Sequence, residues 1–142
     1  MASILKVDDL RGNTTANNIT VTVGASATQS LHDGLVKHFA NFDGRGNTFY
    51  GSFNASSVTD NATGDYTITV TTAFNDTSNM AFTGLAQDQQ ASNKHQPQIG
   101  FTRHGGAPNT TTTARYSTKF DGQTTTLTDM DGIQNIGVGD LA

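Results

Sequence analysis

The chain has no cysteine and no tryptophan, and only two of its 142 residues are proline. Without cysteine it forms no disulfide and no thiolate zinc site, so its stability must come from packing, hydrogen bonding or association with other chains. Charged residues make up 14% of the sequence, and this low charge argues against a disordered polyelectrolyte. The length fits one domain, or a short arm plus one domain, with a modest core.

The charge balance and hydropathy exclude two classes of partner. The net charge of −4 and the isoelectric point near 5.3 disfavour nucleic acid, because affinity for phosphate comes chiefly from Lys and Arg. No apolar stretch approaches the roughly 20 residues of a spanning helix, and the amino terminus has no hydrophobic signal region, so we expect no membrane insertion. The chain is therefore expected to be made and folded in a cytoplasm, and to leave it only as part of a particle.

Residues 1–24 are predicted to form an extended arm that docks or trimerises. The segment 19–23 alternates cleanly between apolar residues and threonine, as a half-buried strand does. A single strand cannot bury its own apolar face, so it must use the body of the domain or neighbouring chains, and both remain open. The expected assembly residues of the arm are Ile4, Leu5, Val7, Leu10, Ile19, Val21 and Val23.

A short helix is predicted at about residues 30–40. Leu31, Leu35 and Phe39 lie on one helical stripe. Ser30 followed by Asp33 resembles a capping box. Gly34 weakens such a helix by about 1 kcal/mol relative to Ala, so it would be held by tertiary contacts.

The remainder of residues 25–142 is predicted to be mainly β, as an antiparallel β-sandwich of jelly-roll-like form. Phe49 and Phe53 are expected on one face of a strand, and residues 66–71 alternate bulky side chains with threonine, which indicates one dry and one wet side. Turns are predicted at 43–47, 61–65 and, as a hairpin, at 121–122. Further strands are predicted at 80–85, 98–103, 112–120, 123–127 and 133–138.

The histidines do not indicate a metal site. His32 and His38 are six residues apart, so on a helix they point in roughly opposite directions. His95 and His104 flank a predicted strand and are interpreted as surface loop residues. An axial metal held by three copies of one histidine in a trimer stays open, because a single sequence does not reveal it.

The acidic residues give only weak signals for chemistry. Residues 129–132 match a fragment of a calcium loop, but the third acidic position and the distal glutamate are missing, so an Asp-Gly turn is the favoured interpretation. Asp8 with Asp9, or Asp60 with Asp65, could form a glycosidase pair. Without tryptophan or a predicted aromatic cleft, we expect no enzyme, no catalytic residue and no cofactor.

Two long polar loops are the expected binding regions, because exposed loops on a rigid sandwich commonly carry recognition. The first spans residues 87–97 and the second residues 103–109. A solvated connector without a function is an equally weighted interpretation of both. The candidate receptor contacts are Gln89, Asn93, Lys94, His95, Arg103 and His104.

Residues 52–67, with the sequence SFNASSVTDNATGDYT, resemble a segment found in small structural and tail-fibre proteins of marine, cyanophage-type tailed bacteriophages. Three other segments agree with this resemblance, namely residues 2–8, residues 29–37 together with 41–44, and residues 139–142. The chain departs from that family where a small residue and tryptophan usually follow the lysine of the short helix, since it has His38 and Phe39 there.

The resemblance implies a virion component, made in the host cytoplasm, that forms a homotrimer and sits in a tail fibre or fibre tip used in host attachment. Its expected partners are copies of itself, other tail or capsid proteins, and a host surface glycan or protein. A capsid decoration protein is the alternative function. A glycan-cleaving depolymerase is a remote alternative. The middle loops lie outside the resemblance, as expected of an individual receptor-contact region.

Overall fold

Ten β-strands form the regular structure of the described part of this chain. The computed structural model describes residues 6–11, 19–23, 27–31, 34–88, 97–100, 109–120 and 126–142. These ranges contain no helix, and hence none long and apolar enough to cross a membrane. The chain divides into two units, residues 1–35 and residues 36–142.

The first unit contains a β-hairpin. Strand β1 (Thr20–Val23) pairs antiparallel with β2 (Ala27–Ser30), with Val21 opposite Gln29. The amide of Leu31 donates a hydrogen bond to the carbonyl of Ile19 at 2.7 Å and extends the ladder by one step. The predicted strand at 19–23 is therefore present, and its partner strand comes from the same chain.

The short helix predicted at about residues 30–40 was wrong throughout the described part of that range. Strand β2 ends at Ser30, and β3 (His38–Asp43) begins before the predicted helix would end. Along β3 the side chains alternate between buried and more exposed, which is the period of a strand. Strand β3 forms hydrogen bonds with β10 on one side and β4 on the other. This pairing outweighs the helical spacing of Leu31, Leu35 and Phe39, and Gly34 already weakens a helix there.

The second unit consists of two packed four-stranded antiparallel sheets, which confirms the predicted antiparallel sandwich. The front sheet has the order β4-β3-β10-β7, and the back sheet has the order β5-β6-β9-β8. Hairpins β3–β4 and β5–β6 each stay within one sheet, so consecutive strands do not alternate between sheets as in a jelly roll. The remaining strands are β4 (Thr48–Phe53), β5 (Ser57–Ala62), β6 (Asp65–Thr69), β7 (Ala81–Gln87), β8 (Pro97–Gly100), β9 (Thr113–Phe120) and β10 (Gly132–Val138).

The core lies between the two sheets. Phe42 and Ile133 contribute from the front sheet, and Tyr66, Ile68 and Tyr116 contribute from the back sheet. Phe42 and Tyr66 meet edge to face across the core, with ring centroids 5.5 Å apart. In β6 the bulky residues are buried and the threonines are half-exposed, so the predicted dry and wet sides of this segment are confirmed.

Other predicted strands agree with the structure to different extents. The predictions at 80–85, 112–120 and 133–138 correspond to β7, β9 and β10 within two residues at each end. The prediction at 98–103 is met by β8 as far as Gly100, and its remainder lies outside the described residues. Of the prediction at 123–127, only Thr126 and Leu127 are described, and they are not in a strand. Strands β2, β3 and β5 have no counterpart among the predicted strands.

Phe49 and Phe53 do not share a face, contrary to the prediction. Phe42 pairs with Phe49 and packs against it edge to face, whereas Phe39 pairs with Phe53. A β-bulge after Asn41 leaves Tyr50 as an extra residue in β4, so the alternation of side chains is reversed beyond it. Phe53 is thereby turned to the outer side of the sheet, where it is 50% exposed.

The chain passes from the front sheet to the back sheet at Asn54, whose φ of 53° lies in the left-handed region. Its amide nitrogen donates to the carbonyls of Lys37 and Thr72 at 3.0 and 3.1 Å. Its amide oxygen accepts the backbone N–H of Thr72 at 2.6 Å. Asparagine suits this position because it tolerates positive φ and satisfies nearby backbone groups.

Candidate interaction surface

The outer side of the front sheet carries large, exposed apolar side chains. Leu85 is 72% exposed and Phe53 is 50% exposed. These side chains occupy the alternate positions of their strands that point away from the core. We call this surface the apolar face and define it by Phe39, Phe53, Leu85, Ile136 and Val138.

Strand register aligns the apolar face into a row across the sheet. Phe53 pairs with Phe39, Phe39 pairs with Ile136, and Ile136 pairs with Thr83. The two phenyl rings are stacked side by side, with centroids 6.3 Å apart and an interplanar angle of 25°. The row is apolar on three of the four strands and ends at Thr83 on the edge strand β7.

A groove of about 560 Å³ lies on this side of the sheet. The neighbouring row of the register, Asn41–Gln134–Leu85, supplies two amide side chains and the most exposed leucine. None of the side chains that line the groove is charged. The residues that line the groove are Phe39, Ala40, Asn41, Thr83, Gly84, Leu85, Gln134, Asn135 and Ile136, of which Ala40 and Asn135 direct their side chains to the core.

The outer side of the back sheet has the opposite character. Its outward positions are occupied mainly by hydroxyl and charged residues, with Ser57 opposite Thr69 and Thr59 opposite Thr67. Arg115 donates through Nε to Oδ1 of Asp65 at 2.8 Å and through Nη2 to the other carboxylate oxygen. Such a surface is well suited to water. The sandwich thus has one wet outer face and one apolar outer face.

A buried polar cluster lies directly beneath the apolar face. The ring of His38 has no exposed surface; its Nε2 is 2.7 Å from Oδ1 of Asn135, and its Nδ1 is 3.1 Å from the carbonyl oxygen of Asn54. The hydroxyl of Tyr116 donates to the same Oδ1 at 3.1 Å, and burial raises the pKa of Tyr116. Within the described ranges the amide nitrogen of Asn135 has no hydrogen-bond partner.

An ion-pair cluster fixes one end of the front sheet. Arg45, in the β3–β4 turn, donates through Nε to Asp131 at 2.8 Å and through Nη2 to Asp88 at 3.3 Å. Partial burial alone lowers the pKa of Arg45, but the two carboxylates outweigh it and raise that pKa. Tyr50 donates its hydroxyl to the carbonyl of Asp131 at 3.2 Å. These contacts join the ends of β7 and β10 to the turn and support a rigid sheet.

The candidate receptor contacts of the sequence analysis all lie outside the described residues, so they remain a prediction. They are Gln89, Asn93, Lys94, His95, Arg103 and His104. Among the arm residues, Val7, Leu10 and Val21 are 55%, 52% and 42% exposed, and Ile19 is half-buried. Ile4 and Leu5 lie outside the described residues, and for Val23 only its position in β1 is described.

Three of the acidic residues considered for chemistry, Asp65, Asp129 and Asp131, have structural partners. Oδ1 of Asp129 accepts the amide of Gly64 and the hydroxyl of Tyr66, at 2.5 and 2.7 Å. Asp131 pairs with Arg45, and Asp65 pairs with Arg115. Within the described ranges no group of three or more His, Asp or Glu side chains is arranged to hold a metal ion.

Sequence reasoning missed both the apolar face and the buried histidine. Helical spacing places Phe39 on one stripe with Leu35, whereas Phe39 belongs to the outer side of a strand. The sequence does contain a usable signal, because side chains at alternate positions from His38 to Asp43 lie on opposite sides of a strand. This alternation places Phe39 on one side and Ala40 and Phe42 on the other. The bulge that redirects Phe53 has no marker in the local sequence.

Comparisons of the chain with protein-family models, with curated proteins and with solved structures gave no match. The candidate surface therefore stands on the geometry of the sandwich and on the composition of its two outer faces.

Proposed function

We propose that this chain is a structural protein of a bacteriophage virion, which acts by binding and assembly rather than by catalysis. In this proposal it is a homo-oligomeric tail-fibre or fibre-tip component, exposed on the particle and used in host attachment. The assembly part of the proposal is carried by one observation, namely that the outer side of the front sheet is apolar while the outer side of the back sheet is polar. The resemblance of residues 52–67 to phage fibre proteins supplies the virion part.

The asymmetry of the two outer faces supports a protein built into a larger assembly. Contiguous exposed apolar patches of several hundred Å² are uncommon on soluble monomers and commonly mark interaction sites. Here Leu85 and Phe53 project from the two edge strands of one sheet, while the edge strands of the other sheet carry polar side chains such as Ser57, Thr59 and Gln98 outward. A protein that worked alone in water would gain nothing from this difference.

The arm and the loops have separate parts in the proposal. The arm, residues 1–24, docks the chain or joins it into the homotrimer that the resemblance implies. Val7 and Leu10 are exposed and available for such contacts. The polar loops at 87–97 and 103–109 form the distal region that meets a host surface glycan or protein. Nucleic acid and membrane lipid are not partners in this account.

Localisation on intact phage particles tests the proposal. Purified particles are analysed by mass spectrometry for this chain, and antibody against residues 36–142 is applied for immunogold electron microscopy. Gold on the tail is the expected result. Gold spread over the head would favour a capsid decoration protein over a tail-fibre component. Absence of the chain from purified particles would contradict the virion proposal itself.

A loop variant separates attachment from decoration. Replacement of Lys94, His95, Arg103 and His104 by alanine is expected to reduce adsorption of phage to host cells while particle assembly continues. The matched control replaces Gln98, on the polar outer side of β8, by alanine. Equal adsorption of the loop variant and the control would contradict a role of the loops in host attachment.

A further inference from the structure

The apolar face has the composition of an interface that excludes charge. Its row of side chains runs from Phe53 on one edge strand to Thr83 on the other. No charged side chain lines the groove beside that row. Depletion of charge at the centre, with aromatic and aliphatic residues in its place, is typical of the buried core of a protein interface.

The size of the apolar face suits contact with one protein surface. Its five large side chains are between 38% and 72% exposed. Together they offer on the order of 400 Å² of apolar area, which is within the range of functional patches. A stable interface covers about 800 Å² per partner, so the polar rim of Asn41, Thr83 and Gln134 belongs to the same contact.

The apolar face carries both an exposed leucine and a groove. Leu85 on the edge strand β7 and Phe39 on β3 both line the groove, and their strands lie on either side of β10. A projecting leucine and an adjacent hollow on one surface allow the leucine of each copy to enter the hollow of another. Such contact is reciprocal around a two-fold axis and passes from each copy to the next around a three-fold axis.

We propose that the apolar face packs against the same face of another copy of this chain, so that the front sheets lie together around a symmetry axis. Sheets that pack face to face are about 10 Å apart and interdigitate their side chains. This inference rests on the proposed function and names the surface by which its homo-oligomer forms. It places the assembly contact on the sandwich, in addition to any contact made by the arm.

Charge favours another copy as the occupant. The whole chain carries a net charge of −4, so identical copies repel one another over much of their surface. The groove is free of charged side chains, and two such surfaces meet without like-charge repulsion.

Sedimentation equilibrium of the full chain and of Leu85→Asp tests the inference. The unaltered protein is expected to associate in the micromolar range, and Leu85→Asp to raise the dissociation constant at least ~100-fold by placing an unpaired carboxylate in the interface. Ser57→Asp adds the same charge on the edge strand of the polar outer face and is expected to associate as the unaltered protein does. Phe53→Asp is the second variant, and circular dichroism verifies that each variant is folded.

Two results would overturn the inference. One is full association of folded Leu85→Asp and Phe53→Asp, which would assign assembly to the arm or another surface. The other is an unaltered protein that remains monomeric at high concentration. Neither result contradicts the proposal that the chain is a virion protein, because mass spectrometry of purified particles tests that proposal separately. A molar mass of two or of three chains agrees with the inference and gives the order of the axis.

Discussion

The Nε2 atom of His38 lies 2.7 Å from Oδ1 of Asn135, across the pairing of β3 with β10 and between residues 97 positions apart in the sequence. Both side chains are buried, and both point inward from the strands whose next residues, Phe39 and Ile136, belong to the apolar face. The polar contact therefore fixes the two central strands that present the apolar row.

His38→Ala is expected to lower the free energy of unfolding by about 2–4 kcal/mol, because it opens a cavity and leaves Oδ1 of Asn135 with one partner fewer. Urea denaturation measures the change. Gln98→Ala, at an exposed position on the back sheet, is the control and is expected to change stability by at most about 0.5 kcal/mol. An equal effect of both variants would show that the buried contact contributes no stability.

Alkaline pH is expected to destabilise the protein through its buried tyrosines. Burial raises the pKa of Tyr66 and of Tyr116, and the hydrogen bond to Asp129 adds to the effect for Tyr66. A tyrosine with a raised folded pKa stabilises the protein fully below its unfolded pKa of about 10 and loses that contribution as pH rises. Stability should therefore fall above pH ~10, by up to about 1.4 kcal/mol per pH unit for each tyrosine.

The measurement for this prediction uses Tyr50→Phe, which leaves Tyr66 and Tyr116 as the only tyrosines. Phenolate absorbance is followed together with near-ultraviolet circular dichroism from pH 8 to 13. Ionisation and loss of tertiary structure are expected to coincide. Phenolate formation in a protein that stays folded would contradict the burial of these hydroxyl groups.

Substitutions at Asn54 should separate its backbone conformation from its hydrogen bonds. Asn54→Gly keeps the positive φ but removes the bonds to Lys37 and Thr72, at a cost of about 1–3 kcal/mol. Asn54→Ala adds roughly 1 kcal/mol of strain in the left-handed region. Asn54→Gly is therefore expected to be more stable than Asn54→Ala. At Ser57 in β5 the order of stability is expected to be reversed, with Ser57→Ala more stable than Ser57→Gly, because glycine weakens a strand. Thermal unfolding of the four variants measures the order of stability at each position. If alanine were more stable than glycine at both positions, the result would argue against strain at Asn54.

Asp65→Asn should cost about 1–3 kcal/mol, since it removes the charge that pairs with Arg115 through two hydrogen bonds on a half-buried sheet surface. The exposed pair of Asp9 and Arg11 provides the comparison, and Asp9→Asn is expected to cost at most about 1 kcal/mol. A double-mutant cycle of Asp65→Asn with Arg115→Gln gives the coupling energy. Additive effects of the two substitutions would contradict a stabilising pair.

Much of the sandwich could be predicted from period-two alternation alone. Residues 66–70 alternate without interruption, and the buried and half-exposed sides follow directly. Residues 31–39 could not be assigned in this way, because Leu31, Leu35 and Phe39 also fit a helical stripe and only pairing with distant strands decides between the two. Local spacing carries no information about such partners.

The candidate surface was harder to predict than the fold, because it depends on register. Phe39 and Ile136 are 97 residues apart in the sequence and become neighbours only through the pairing of β3 with β10. Phe53 joins them because a bulge at Tyr50 reverses its side. A sequence pattern shows that these residues are apolar, but the tertiary pairing determines which of them face outward together.

Burial of the apolar face in the assembled protein is the central claim, and single-cysteine labelling tests it most directly. The chain has no native cysteine, so Thr83→Cys on β7 and Thr59→Cys on β5 each introduce one unique thiol at an exposed edge-strand position. At concentrations where the protein associates, a thiol reagent is expected to label Thr83→Cys at least ~10-fold more slowly than Thr59→Cys, and on dilution the two rates should converge. Equal labelling rates at every concentration would contradict the claim.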